Sequence, residues 1–231
     1  MDRIDLKRRA INSLKYHYAP LVLSLITIIL LGISSYFVGV IIYNVSLSSI
    51  LDLLLLGLLS MGLIQIVVKT SRNQKTSFKD FFSRTDLFFK ALAISLGFFI
   101  FSMSFSLLEY ISVTALDVFT TYQTDLNMFL SAFLILIGVI LSLTIPLLYF
   151  MIIISFSQVY FILYDNNKMP ITQIFKKSSD IMDEHKIDYI MIWVSFIPWI
   201  ILGVLTFGLL YLWLIPYMLV TFANFYDEIK N

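Results

Sequence analysis

Apolar runs and charged clusters alternate along this chain in blocks longer than a soluble helix needs. No Asp, Glu, Lys or Arg occurs in 18–51, 53–68, 91–108, 126–164 or 189–226. A helix rises about 1.5 Å per residue and needs about 20 apolar residues to cross the hydrocarbon core. The pattern therefore predicts an all-α polytopic transmembrane bundle of about six spans. They fall near 19–43, 49–68, 87–108, 128–164, 187–206 and 209–226. The first pair is divided at the polar stretch Asn44–Ser49, and the last pair at a tight turn near Gly203–Gly208. The stretch 126–164 exceeds one crossing but is too short for two with a loop. It reads as one long helix, with Pro146 as the expected kink.

Between the spans the period changes to that of amphipathic helices. In 170–186, Ile171, Ile174, Phe175, Ser178, Ile181, Met182 and His185 recur at helical spacing, opposite Lys176, Lys177, Asp180, Asp183 and Glu184. In 77–86, Phe78, Phe81 and Phe82 form a similar stripe, and Ser77 with Asp80 matches a capping box. In 3–18, Ile4, Ile11, Leu14 and Tyr18 make a less regular stripe that Lys7 interrupts. The chain thus reads as three parallel units, each an interfacial helix followed by a hairpin. Such helices are expected on the inner leaflet, with Ile171, Ile174, Phe175, Ile181, Met182, Phe78, Phe81 and Phe82 as candidate lipid- or partner-facing residues. The simpler alternative is favoured: they are juxtamembrane helices packed against the bundle.

Composition agrees with the pattern. Hydrophobic residues make up 59% of the chain and charged residues 13%, with a mean hydropathy of +0.90. A soluble domain would carry about a quarter charged residues. The basic N-terminus followed by an apolar run imitates a signal peptide, but Pro20–Tyr43 is too long for one and reads as an uncleaved first span. With the N-terminus inside, all 16 Lys and Arg residues fall in cytoplasmic segments. The outer segments hold Asp52, Glu109, Asp117 and Asp125 and no positive charge. Basic residues are retained on the cytoplasmic side, so both termini are expected there, with an even number of spans.

Candidate chemistry is sparse. There is no cysteine, no glycine-rich phosphate loop and no metal-ligand spacing around His17 or His185. No cofactor, metal or catalytic set is expected, nothing points to nucleic acid, and the oligomeric state is not legible. Ionisable and polar groups within membranes are costly and suggest function by default. By the boundaries above, Asp52 and Glu109 lie at outer span ends and Gln158 toward an inner one. An outer ion site at Asp52 and Glu109 is one reading; interfacial solvation is the simpler one. Pro146, Pro198 and Pro216 each follow isoleucine within an apolar span, as packing kinks or hinges. Ser102 with Ser106, and Gly57 with Ser60, are small-residue patches suited to close helix contact.

Several local motifs are similar to one family. They are Leu6-Lys7-Arg8-Arg9-Ala10 with Leu14-Lys15, Tyr160 to Asp165, Gly203–Gly208, Leu212-Trp213-Leu214-Ile215-Pro216-Tyr217 and Phe225-Tyr226. Together they resemble an integral membrane family of Gram-positive bacteria catalogued as domain of unknown function 975. The middle, 70–130, carries no matching motif, and Leu147 stands where the family often has glycine after the proline. The resemblance implies a multi-pass bacterial plasma membrane protein and brings no activity with it. A distant likeness to membrane domains attached to glycerophosphodiester phosphodiesterases implies lipid-related work by analogy alone. The expected function is therefore non-enzymatic binding of a lipid or membrane partner, in an envelope or export role. The alternative is a permease subunit served by a separate ATPase that docks on 171–186.

Overall fold

A computed structural model describes residues 2–41, 45–121 and 128–230. Side chains fall outside that description at 38–39, 41–56, 58, 115–116, 118–121 and 128–131. Among the described residues the chain is helical, without strands. The α-helices are α1 (Arg3–Ile41), α2 (Val45–Ser71), α3 (Phe88–Thr121), α4 (Met128–Ser155), α5 (Val159–Asp165), α6 (Ile171–Asp183), α7 (Lys186–Val194), α8 (Ile197–Leu205) and α9 (Tyr211–Ile229). Two 3-10 segments, Phe78–Phe82 and Thr85–Leu87, connect α2 to α3.

Proline accounts for two of the helix breaks. The predicted boundary between interfacial helix and first span appears as a kink at His17, with φ −127° and ψ 17°. Pro20, three residues on, has no N–H for the Tyr16 carbonyl and crowds it. Likewise α7 ends at Val194, the residue whose carbonyl Pro198 leaves without a donor, and Pro198 lies in the first turn of α8. The predicted span 187–206 is therefore two helices joined at Ser195–Phe196. Pro146 does not end its helix. It lies within α4, and the long helix instead breaks at Phe156–Gln158 before α5. The predicted helix 77–86 is two 3-10 segments, and its capping box forms: Ser77 N–H donates to Asp80 Oδ2 at 2.9 Å.

The contacts group the chain into two compact units, Met1–Ser95 with Phe156–Asn231, and Leu96–Ser155. Most of the first and third hairpins therefore packs in one unit, while the middle hairpin supplies the other. In the first unit α9 packs on both α1 and α2, and the 3-10 segment Phe78–Phe82 packs on α2. The buried side of the N-terminal helix is Leu6, Ala10, Ser13 and Leu14. The predicted stripe shares only Leu14 with it; Ile4 is 74% exposed. An aromatic ladder joins α7 and α8 to α9: Tyr189, Trp193 and Phe196 meet Phe222 at 5.0–6.4 Å, and Trp199 meets Trp213 at 6.3 Å. Within α2, an added Cβ at Gly62 would lie 1.9 Å from the Phe81 carbonyl oxygen. Only glycine lets that backbone approach so closely.

Four stretches among the described residues are long and apolar enough to cross a membrane: Arg3–Phe37, Phe78–Thr114, Ala132–Asp165 and Lys186–Leu205. The sequence predicted six. The part of α2 with described side chains in an unbroken run is Leu59–Ser71, and α9 carries Asn224, Asp227 and Glu228 in its last turns. Large apolar side chains such as Ile29, Leu30, Leu107, Leu143 and Leu147 are exposed on these helices, which fits a protein whose surface meets lipid.

Candidate functional site

The polar centre of the first unit is an ion cluster where α2, α5 and α9 end. Arg72 donates from Nη1 and Nη2 to the two carboxylate oxygens of Asp165 at 2.9 and 2.8 Å. It also donates from Nε and Nη2 to Asp227 at 3.1 and 2.7 Å. Lys230 Nζ donates to Asp227 at 2.7 Å and to Asp165 at 3.4 Å. Two cations thus face two anions, with side chains 20–26% exposed. Burial alone would lower the Arg72 pKa, but hydrogen bonds and the charges of Asp165 and Asp227 outweigh it and raise it. The guanidinium fork suits this bridge because its planar donors meet each carboxylate edge-on. With every charge matched, the cluster is a clamp between helix ends and offers no vacant charge for a ligand.

The N-terminal helix is fastened to the same end. Arg9 pairs with Glu228, and Asn224 Nδ2 donates to the Leu6 carbonyl at 3.2 Å. Lys7 Nζ lies 4.1 Å from the Phe196 ring centroid. Further along α1, Tyr18 donates to the Leu212 carbonyl at 3.0 Å. That carbonyl lacks its helical donor because residue 216 is proline, so a side chain from another helix takes the place of an amide.

The candidate interfacial residues are largely used up internally. Ile174 and Met182 are fully buried in the contact of α6 with neighbouring helices, and Phe81 is buried beneath α2. Phe175 meets Phe156 edge-on at 5.2 Å, while Ile171, Ile181 and Phe78 are half-buried. Phe82, 51% exposed, is the most open of the eight. Gln158 is fully buried at the start of α5; its Nε2 donates to Ser157 Oγ at 2.8 Å and its Oε1 has no partner. Asp52 lies in α2, and its side chain is outside the described residues.

The second unit contains an open apolar groove between α3 and α4. It has a volume of about 490 Å³ and is lined by Phe105, Ser106, Glu109, Tyr110, Val113, Pro146 and Tyr149. Tyr149 packs on Phe105 at 4.6 Å and stacks on Phe101 at 5.6 Å. The sequence boundaries put Glu109 at the outer end of its span. Helix α3 runs on to Thr121, about 18 Å beyond Glu109. Its Oε2 is buried without a hydrogen-bond partner, as is the hydroxyl of Ser112 one turn later.

A family model described as "Protein of unknown function (DUF975)" matches residues 1–231. The chain belongs to the DUF975 family. No curated protein and no solved structure matches it. The two polar features of this DUF975 chain therefore have to be read from their own chemistry. Among the described residues no group of three or more His, Asp or Glu could hold a metal ion. The ion cluster escaped the sequence reading because Arg72 meets partners 93 and 155 residues away. Its signal was present only as single acidic residues, Asp165 and Asp227, each closing a long apolar run.

Proposed function

We propose that this chain is a non-enzymatic membrane protein with an even number of crossings that binds a lipid-like ligand in the groove between α3 and α4. The groove carries the reading. It is walled by apolar and aromatic side chains and is of a size suited to a small ligand or part of an acyl chain. An even number of crossings is supported by the meeting of the start of α1 with the ends of α2, α5 and α9 at one pole of the first unit. That pole carries the basic segments, so by the positive-inside tendency it is the cytoplasmic one, in a plasma membrane.

The groove reading moves the ligand site away from the interfacial helices. A permease served by an ATPase would have to use the exposed polar face of α6, with Lys176, Asp180 and Asp183, since Ile174 and Met182 are already engaged. To test the groove, a fatty alcohol bearing a diazirine is photolysed with the full chain in native-like bilayers. Labelling should concentrate in peptides containing 105–113 and 146–149 and fall when Tyr149 is replaced by Ala. Labelling spread evenly along the exposed faces of α3 and α4 would refute the reading.

A further inference from the structure

We infer that the groove ligand is cationic: an organic ammonium group carried on a hydrocarbon chain. The inference rests on the groove reading above and adds the chemistry of the head. Its basis is charge. Glu109 is the groove's ionisable carboxylate, and its Oε2 is buried with no hydrogen-bond partner. Glu109 as a residue is half-buried, and a carboxylate oxygen held out of water without a partner is unfavourable. The segment Leu96–Ser155 contains no Lys, Arg or His, and its other charged residues, Asp117 and Asp125, are acidic. No side chain of this unit carries a positive charge to pair with Glu109, so its partner is either a proton or a cation brought by the ligand, and the groove walls point to the second.

The walls select which cation. A small metal ion needs several oxygen ligands, and the described residues assemble no such set here. The groove instead sets the aromatic rings of Phe105, Tyr110 and Tyr149 beside the single carboxylate. Aromatic faces attract a bulky, weakly hydrated ammonium, and such a cation loses less on leaving water than a compact ion does. The unpaired Ser112 hydroxyl, on the same side of α3 one turn on, is a second polar group near the carboxylate. Val113, at the groove's edge, is exposed apolar surface along which the ligand's chain can lie.

The experiment uses three spin-labelled probes of one chain length: a stearyl trimethylammonium, a stearyl alcohol and a stearyl sulfate. Each is titrated into the full-length protein in neutral maltoside micelles, and the immobilised fraction is read by electron paramagnetic resonance. The wild type should hold the ammonium about tenfold more tightly than the alcohol and reject the sulfate. Glu109→Gln should bring the ammonium down to the level at which the same variant holds the alcohol. Equal binding of ammonium and alcohol by the wild type would overturn the inference while leaving the groove reading standing. A cation preference that survives Glu109→Gln would overturn it too. If none of the probes is immobilised, the groove reading falls with it.

Discussion

Replacing Tyr18 by Phe deletes one hydroxyl and leaves its ring in place. In the wild type that hydroxyl donates to the Leu212 carbonyl at 3.0 Å, a group that Pro216 has deprived of its amide donor. The bond lies at the surface of the two helices, so its loss costs less than the about 1–3 kcal/mol of an orphaned buried carbonyl; interhelical hydrogen bonds within membranes average about 0.6 kcal/mol. Tyr18→Phe should therefore destabilise by about 1 kcal/mol. Pro216→Ala restores an N–H four residues after Leu212, so the carbonyl no longer depends on Tyr18. In that background the Tyr18→Phe cost should shrink to a few tenths of a kcal/mol, about the scatter expected between uncoupled sites. The assay is a four-member double-mutant cycle, unfolded by titrating dodecyl sulfate into maltoside micelles and followed by circular dichroism. If Tyr18→Phe costs the same in both backgrounds, Tyr18 acts through packing alone and the proline argument is wrong.

Arg72→Met leaves Asp165 and Asp227 with Lys230 alone and should cost about 2–4 kcal/mol, at the lower end because the cluster is partly exposed. Arg72→Lys should recover only part of this, since an ammonium cannot fork between two carboxylates; full recovery in thermal unfolding would refute the bidentate role. Gly62→Ala drives a methyl into the Phe81 carbonyl and should destabilise by about 1–3 kcal/mol. Gly32→Ala meets open space and should be neutral or stabilising by about 0.5–1 kcal/mol, so equal effects of the two in the same assay would contradict the close approach. For orientation, a reporter fused at Asn231 should read cytoplasm and one inserted near Thr120 should read the outside. A cytoplasmic signal at 120 would overturn that orientation.

Much of this chain was legible from residue order because lipid imposes a strong, one-dimensional constraint. A crossing helix must satisfy its own backbone and expose apolar side chains, so charge-free runs of about 20 residues mark where long helices lie. The capping box at Ser77 and Asp80 and the buried spacing of Ile174, Ser178 and Met182 are local as well, and periodicity located both. Proline was only partly informative. Pro20 and Pro198 lie at a kink and a break, whereas α4 and α9 continue through Pro146 and Pro216; at Pro216 the freed Leu212 carbonyl accepts from Tyr18.

Tertiary structure decided what touches what. Hydropathy could not show that Leu6 and Ala10, rather than Ile4 and Ile11, face α9, because both pairs lie on a helix with apolar residues on several sides. It could not pair Arg72 with Asp165 and Asp227, since charges this distant in sequence meet only after the helices dock. Glu109 looked like an interfacial carboxylate because the apolar run stops at Leu108. The helix continues well past it and sets its oxygen in a groove shared with α4. The physical reason is the same in each case: an apolar run says that a segment is buried in something, and only packing says whether that is lipid or protein.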